Sequence, residues 1–514
     1  MASRHHPGRR RLRQRPIGRP RPLDAGLWWH RRPGRGDVAG RSRGRPHRRR
    51  RGHRPGPRHP HPVRHGLRPP FGRVAPAQSP LVLLGRVGRL GGRHRSRRPD
   101  EHRLRHEPDG GEPSRRHPRR IGAHGRLRVT RQLVSHSKLG VVGAGQLARM
   151  MHQAAIALAI ELDVLAVSAD EPAPLAGVPP RFGEATDPEA LRRFSASHHV
   201  VTFDHEVVDL ETALALEAEG RVLRPSAAAL GVVADKSVMR RTLHDAGLPG
   251  PDFVIANDEG EVTAALGRWP QAVLKLTRGG YDGRGVFVVR SSDEAMAIAG
   301  PVFAGGGRFV IEPLLPLDAE MAVIVARRPG GESVVYDPVT TIQVDGMCSE
   351  VIAPAQVSAQ HHAAATDLVA RIADELDVVG LLAVELFLVG DEITINELAV
   401  RPHNTGHHTI DACVTSQFEN HLRAVLDLPL GDPSLTTAHA VMVNVVGGEA
   451  LRDPRDLLAD ALALDPGAHV HLYAKEPRPG RKVGHVTICD DDLERARRRA
   501  WAVTTALDTP KEPS

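Results

Sequence analysis

The sequence predicts a mixed α/β and α+β protein: three folded parts, over residues 138–234, 235–427 and 428–514, behind a disordered leader over 1–137. Three observations carry this reading. Short apolar strands alternate with helical spacing from residue 138 onward, which is the pattern of a parallel sheet with crossover helices. Strand-like runs separated by glycine turns follow from about residue 272, as in antiparallel pairs. Before residue 138 no regular apolar period exists beyond a short run at 81–84.

The leader is set apart by charge. Residues 1–137 hold 38 arginines, no lysine and 7 acidic residues, a balance of +31, whereas the rest of the chain has 32 basic and 53 acidic residues, a balance of −21. Such a leader buries too little apolar surface to offset chain entropy, so disorder is expected. It admits three readings: a basic arm binding nucleic acid through phosphates, a dispensable tail, or an out-of-register translation of GC-rich coding sequence. Only the first would make nucleic acid a partner, and the leader has few aromatic residues for base stacking.

The folded parts follow in order. Residues 138–143 (KLGVVG) read as a strand, and Leu147, Met150, Met151, Ala154 and Leu158 follow at helical spacing. Strands are expected at 164–167 and 200–203. A helix at 236–246 ends at Gly247 and Pro249. Strands are expected at 272–276, 286–289, 309–311, 321–326, 383–389 and 392–398. The last part has strands at 440–446, 469–473 and 484–488 and a charged helix near 491–506. The three cysteines, Cys348, Cys413 and Cys489, are far apart and form no CxxC pair, which points away from a zinc cluster or a disulfide framework. No apolar run is long enough to span a bilayer, and the basic start lacks a signal-peptide core. A cytoplasmic protein is expected.

Five motifs carry chemistry. Gly143-Ala-Gly145-Gln146-Leu147-Ala148 joins strand to helix and offers amides at a helix N-terminus. A dinucleotide site, a monophosphate site and a bare turn all remain open there, although no acid ends the second strand at the usual distance for a ribose. The second motif, Lys275 to Val286, is more specific. A strand delivers Lys275, and Gly280, Tyr281, Asp282, Gly283, Arg284 and Gly285 form a glycine-rich loop before the strand at 286. Glycines let the backbone approach phosphates while lysine and arginine neutralise them. The G-K-[ST] of a Walker loop is absent. Third, Glu312-Pro313-Leu314-Leu315 ends a strand, with Glu320 eight residues on; a strand end can meet adenine and a carboxylate can meet ribose, or the segment is a plain acidic loop. Fourth, Glu385 and the pair Asn396-Glu397 sit on two apolar strands joined by a turn at Gly390-Asp391. Facing carboxylates repel unless a cation lies between them, and hard oxygen ligands beside phosphates suit Mg²⁺; a carboxylate paired with Arg401 is the alternative. The last motif has two parts, the donor-rich loop Arg401-Pro-His403-Asn404-Thr-Gly406-His407-His408 and the basic loop from Lys475 through Arg478, Arg481 and Lys482 to His485. The first suits an anion better than a metal; the second is a phosphate clamp or solvated surface.

Taken together, GAGQLARM at 143–150, GGYDGRG at 279–285, NELAVRPHNTGHH at 396–408, SQFE at 416–419 and RPGRKVGH at 478–485 resemble the ATP-grasp superfamily and, within it, the 5-(carboxyamino)imidazole ribonucleotide synthases. The resemblance covers about residues 138–500. It implies a Rossmann-like N-terminal domain, an ATP-grasp domain and a small β-rich C-terminal domain. It implies an ATP-dependent ligase that joins bicarbonate to 5-aminoimidazole ribonucleotide through carboxyphosphate, and a homodimer. Carried over, Lys236, Lys275 and the loop 280–286 would bind ATP phosphates, and Glu312–Leu315 with Glu320 adenosine. Glu385 and Glu397 would hold Mg²⁺, with Asn396 nearby. Gly145, Gln146, Glu206, Arg401, His403, Asn404, Lys475, Arg481 and Lys482 would hold the ribonucleotide or bicarbonate. Arg401, Lys275 and Glu206 would act in catalysis. Two departures stand out: Gln343 occupies a place where the family usually has histidine in the nucleotide site, and Thr202-Phe-Asp204-His-Glu206 replaces a T-x-E-x-E pattern. Rivals from other classes are another carboxylate–amine ligase, a nicotinamide oxidoreductase built on 143–148, and a nucleic-acid-binding protein led by the basic arm.

Overall fold

The computed structural model describes residues 138–280, 285–344 and 346–508. The expectations for the leader and for Tyr281, Asp282, Gly283 and Arg284 lie outside the described residues. Lys138–Val142 is the centre of a parallel four-stranded sheet, between Glu161–Ala166 and Val200–Phe203, with Pro180–Phe182 at the edge. The helix Gln146–Ala157 crosses between the first two strands and buries Leu147, Met150 and Met151, as their spacing predicts. The second strand starts three residues before its expected position. Buried Asp163, 2.7 Å from Lys138 Nζ, interrupts its apolar run and hides the true start.

A small antiparallel sheet follows, in the order Val254–Ala256, Phe309–Pro313, Ala272–Leu276, Val286–Val289. The helices Glu259–Arg268 and Ser292–Ala304, which the sequence reading did not place, cover one face, packing Val262, Ala265 and Ala299 on Leu274 and Ile311. The other large element is an antiparallel sheet running Glu392–Ala399, Gly380–Val389, Ala319–Arg327, Val339–Val344, Met347–Ala353, His439–Val446, Lys482–Asp490, His469–Leu472, with Ser333–Val335 paired beside Ala319–Arg327. Met347–Ala353 pairs with His439–Val446, so the C-terminal strands extend this sheet instead of closing one of their own. The helix Leu493–Ala506 packs Ala496 and Ala500 on Val441, Val443 and Ile488. Among the described residues no helix is long and apolar enough to cross a membrane.

The parallel unit is locked to the large sheet through the helix Gln417–Val425. Phe418, Leu422 and Val425 share a core with Leu147, Met150, Met151 and Tyr473. Thr202 Oγ1 lies 2.8 Å from His421 Nε2, and Arg224 Nη1 donates to Val425 O at 2.6 Å. Phe418 is 1% exposed at this junction. Phe418→Ala is therefore expected to destabilise the protein by about 3–5 kcal/mol, through lost burial and the cavity left behind. The check is the guanidinium midpoint; an unchanged midpoint would mean that the helix is not a structural joint.

Candidate active site

The hairpin of Gly380–Val389 and Glu392–Ala399 builds the centre. Its two-residue turn places Gly390 at φ 60°, a left-handed conformation that glycine takes without a Cβ clash. The register sets Glu385 opposite Glu397, then slips: Leu386 faces Ile395, and Asn396 is an extra, bulged residue. The bulge lets two consecutive residues serve one face. Asn396 Nδ2 donates to Glu385 Oε2 at 3.1 Å, while Asn396 Oδ1 accepts from Lys275 Nζ at 2.8 Å. Lys236 Nζ donates to Glu397 Oε1. On the neighbouring strand Glu320 is hydrogen-bonded to the Gln343 side chain, and burial raises its pKa. Burial first, then the charges of Glu397 and Glu320, push Glu385 up to about 7, against the pull of Lys236 and Lys482. Such a cluster of carboxylates is relieved by a divalent cation.

The small sheet forms the facing wall. Lys275 Nζ lies 2.8 Å from Glu312 Oε2, and burial lowers its pKa although Glu312 opposes the shift. Glu312 is 3% exposed; its Oε1 accepts from Arg240 Nε at 2.5 Å. Both oxygens are thus engaged within the protein, and the strand end has only backbone groups left for a base. Leu314 N donates to Gln271 O at 3.1 Å, and among the described residues Leu315 makes no backbone hydrogen bond. The two ends of the glycine loop meet where Leu276 N donates to Gly285 O at 2.8 Å, and Val286 stands opposite Lys275. Gly280 is the last described residue before the loop tip.

A third wall comes from the parallel unit and the donor-rich loop. Arg401 Nε lies 2.8 Å from Glu206 Oε1. Burial works against the Arg401 charge, but Glu206, Asp204 and Glu397 outweigh it and raise its pKa. Gln417, fully buried, grips the loop backbone: His403 N donates to its Oε1 at 2.9 Å, and its Nε2 donates to His403 O at 2.8 Å. His403 Nε2 is 3.8 Å from Glu385 Oε1. Asn404 Nδ2 is buried and has no hydrogen-bond partner among the described residues, so a donor is left over at this wall. Lys482, buried at the start of its C-terminal strand, is close enough to act on both Glu385 and His407. Lys475 Nζ lies 5.9 Å from the Tyr473 ring centroid, and Arg481 Nη1 donates within its own loop to Glu476 O at 3.0 Å.

Two of the sequence expectations gain partners at this point. Two of the amides at the start of Gln146–Ala157 are already spent, because Asp204 Oδ2 accepts from Gly145 N at 2.7 Å and Ala148 N at 3.3 Å. Gly143 makes room for that carboxylate: its φ is +99°, and a Cβ there would lie 2.6 Å from Asp204 Oδ1. Gln146 N, Leu147 N and the Gln146 side chain make no bond to Asp204. The Glu312 carboxylate is held between Arg240 and Lys275, which leaves the strand-end backbone for the adenosine role expected of residues 312–315. Residues that the sequence reading missed are Arg240, Gln417 and Phe387, whose ring centroid lies 6.0 Å from Lys275 Nζ. Gln417 lay inside the quoted SQFE motif, and Arg240 one helical turn after Lys236; those were the available signals.

Asp411, His471 and His485 bring three potential ligand atoms within 4.8 Å of one another. The His471 and His485 rings are stacked at 16°, however, so their in-plane lone pairs run side by side instead of converging on one ion. Tyr473 OH at 2.8 Å from His485 Nδ1 and Asp411 Oδ2 at 2.8 Å from His471 Nε2 make this a hydrogen-bonded support under the donor loop.

Family models match three successive stretches of the chain. Residues 136–234 match the ribonucleotide synthetase preATP-grasp domain, 241–418 the ATP-grasp domain, and 440–499 the phosphoribosylaminoimidazole carboxylase C-terminal domain. The N5-carboxyaminoimidazole ribonucleotide synthase of Mycobacterium tuberculosis is 46% identical over 371 residues, spanning 70% of this chain and 86% of that protein. The Synechocystis enzyme of the same name is 38% identical, over 71% of this chain and 95% of its own. Among solved structures, the Aspergillus clavatus N5-carboxyaminoimidazole synthase in complex with ADP and 5-aminoimidazole ribonucleotide superposes with a TM-score of 0.67 at 30% identity, over 73% of this chain and 99% of the other. The Thermus thermophilus synthetase gives 0.65 at 34%, over 73% and 100%. With a relative this similar across most of its length, the chain belongs to the N5-carboxyaminoimidazole ribonucleotide synthase family of ATP-grasp ligases.

Proposed function

We propose that this protein carboxylates 5-aminoimidazole ribonucleotide with bicarbonate, converting ATP to ADP and phosphate, as a step of purine biosynthesis. One observation carries the reading: two opposed strand carboxylates, Glu385 and Glu397, lie beside Lys275 and Lys236, within reach of donors from the N-terminal unit and the C-terminal strands. That combination suits a metal–triphosphate facing a second, anionic substrate.

In this reading Lys236, Lys275 and the loop ends at Gly280, Gly285 and Val286 meet the phosphates, and residues 281–284 complete the loop. The backbone of 313–315 takes the base; Glu320 and Gln343 take the ribose. Glu385 and Glu397 would hold Mg²⁺, with Asn396 fixing their spacing, and the raised pKa of Glu385 fits a site that a cation completes. When bound, Mg²⁺ supplies neutralising charge to the phosphates. Lys275 stabilises charge on the transferring phosphoryl group. A bicarbonate oxygen forms a bond to the γ-phosphorus as the bond to ADP breaks, giving carboxyphosphate. The exocyclic amine then bonds to the carboxyl carbon, losing a proton as phosphate departs. Arg401, oriented by Glu206, neutralises the carboxylate oxygens, and His403 and Asn404 supply further donors. Gln146, Lys475, Arg481 and Lys482 complete the ribonucleotide site, the Gly145 amide being already taken by Asp204. A homodimer is the further reading, as the family resemblance implies.

The defining test is ADP release that requires both aminoimidazole ribonucleotide and bicarbonate; release indifferent to both would sink the reading. Glu385→Gln or Glu397→Gln should abolish turnover in a folded protein, and normal turnover at ordinary magnesium would remove the pair from the site. The Glu385 change has a second expected effect. A carboxyl group with a raised folded-state pKa contributes its stability at low pH and loses it as pH rises through about 7. Metal-free Glu385→Gln should therefore melt no lower than wild type at pH 8, whereas a clear drop in Tm would contradict the assigned shift. Lys475→Ala should raise the KM for the ribonucleotide about 10- to 150-fold, the loss of one charged hydrogen bond, and spare ATP. Lys275→Ala should do the reverse. A Lys475→Ala effect on ATP alone would require the substrate site to be redrawn.

A further inference from the structure

We infer that Arg240 is a positioning residue for ATP: it shares the Glu312 carboxylate with Lys275, so that Lys275 keeps charge to offer a phosphate, and it fixes the bulge that carries the metal-site carboxylates. The inference rests on the reading that places ATP against Lys275. Arg240 follows Lys236 by one turn in the helix Lys236–Asp245 and is 2% exposed. It binds two sheets at once. Nε donates to Glu312 Oε1 of the small sheet at 2.5 Å; Nη1 donates to Ile395 O at 3.0 Å and Nη2 to Asn396 O at 2.7 Å, both on the hairpin.

The first set of contacts concerns charge. Glu312 is a single buried negative charge between two cations, with Arg240 on one oxygen and Lys275 on the other at 2.8 Å. The trio carries a net +1, and Lys275 Nζ also reaches toward the bulge through Asn396 Oδ1. Without Arg240 the pair Glu312–Lys275 would be neutral and self-contained, because a buried lone carboxylate holds its remaining partner tightly. The second set concerns shape. A bulge interrupts ladder pairing and leaves backbone groups to be satisfied elsewhere. Ile395 N turns outward to Pro249 O at 3.0 Å, and Arg240 takes the carbonyls of Ile395 and Asn396. A guanidinium presents donors in a planar fork that can meet a carboxylate and two carbonyls together; an ammonium cannot span them.

The test is Arg240→Met and Arg240→Lys, each checked for folding by circular dichroism and for ATP binding by calorimetry alongside steady-state kinetics. Arg240→Met should weaken ATP binding and raise its KM by about 10-fold or more, as expected for a lost charged hydrogen bond, while the KM for the ribonucleotide stays put. Arg240→Lys keeps the charge beside Glu312 and loses the carbonyl contacts, so its ATP affinity should fall between those of Arg240→Met and wild type. Wild-type ATP affinity in folded Arg240→Lys would overturn the inference, as would equal losses for ATP and ribonucleotide in either variant. If Arg240→Met does not fold, Arg240→Lys decides alone. A wild-type protein that binds ATP but releases no ADP with both co-substrates would count against the proposed function instead, and the Arg240 comparison would still be read from ATP binding.

Discussion

Glu385 and Glu397 face each other across one hairpin, on a surface where an uncompensated carboxylate is costly. Much of the site follows from supplying positive charge to that pair. Lys236 comes from the helix after the parallel unit, Lys275 from the small sheet, and Lys482 from the last part of the chain. These segments are remote in sequence, and the large antiparallel sheet is the frame that brings them together. The carboxylates thus explain why remote segments converge: the hairpin supplies the acids, and the cations come from outside it.

The same constraint gives the continuity of the large sheet a purpose. By pairing His439–Val446 on Met347–Ala353, the C-terminal strands join the element that carries the hairpin, and Lys482 starts the next strand of that sheet. The parallel unit is fixed by a different route, through the shared core around Phe418 and through Glu206 against Arg401. The sheet on one side and the packed joint on the other bring charged groups from separate parts of the chain together, as orienting reacting groups requires.

Much of this was legible in the sequence where chemistry forces a visible choice. A lysine at the end of an apolar strand before a glycine run, and acids inside apolar strands, conflict with simple burial and so announce themselves; Lys275, Glu385 and Glu397 were found in that way. What stayed hidden depends on register and on partners. Alternation would send Asn396 and Glu397 to opposite faces, and only the bulge puts both on one face. The pairing of the Glu312 carboxylate stayed hidden because its partners, Arg240 and Lys275, lie 72 and 37 residues away. The strands at Val339–Val344 and Met347–Ala353 have mixed composition, with Thr340, Thr341 and Gln343 among their residues, and so gave no clear period.

Asp204 has a consequence for discrimination. A strand–glycine turn–helix unit of this kind invites the pyrophosphate of a dinucleotide, because the helix start carries partial positive charge. Here the chain has placed its own carboxylate on Gly145 N and Ala148 N, with Gly143 trimmed to admit it. A diphosphate docking there would face like charge and find two amides missing. The carboxylate therefore counts against a second anion at those two amides. A turn that reads as a cofactor pocket thus spends two of its amides on Asp204, whose charge also acts on Arg401 beside Glu206.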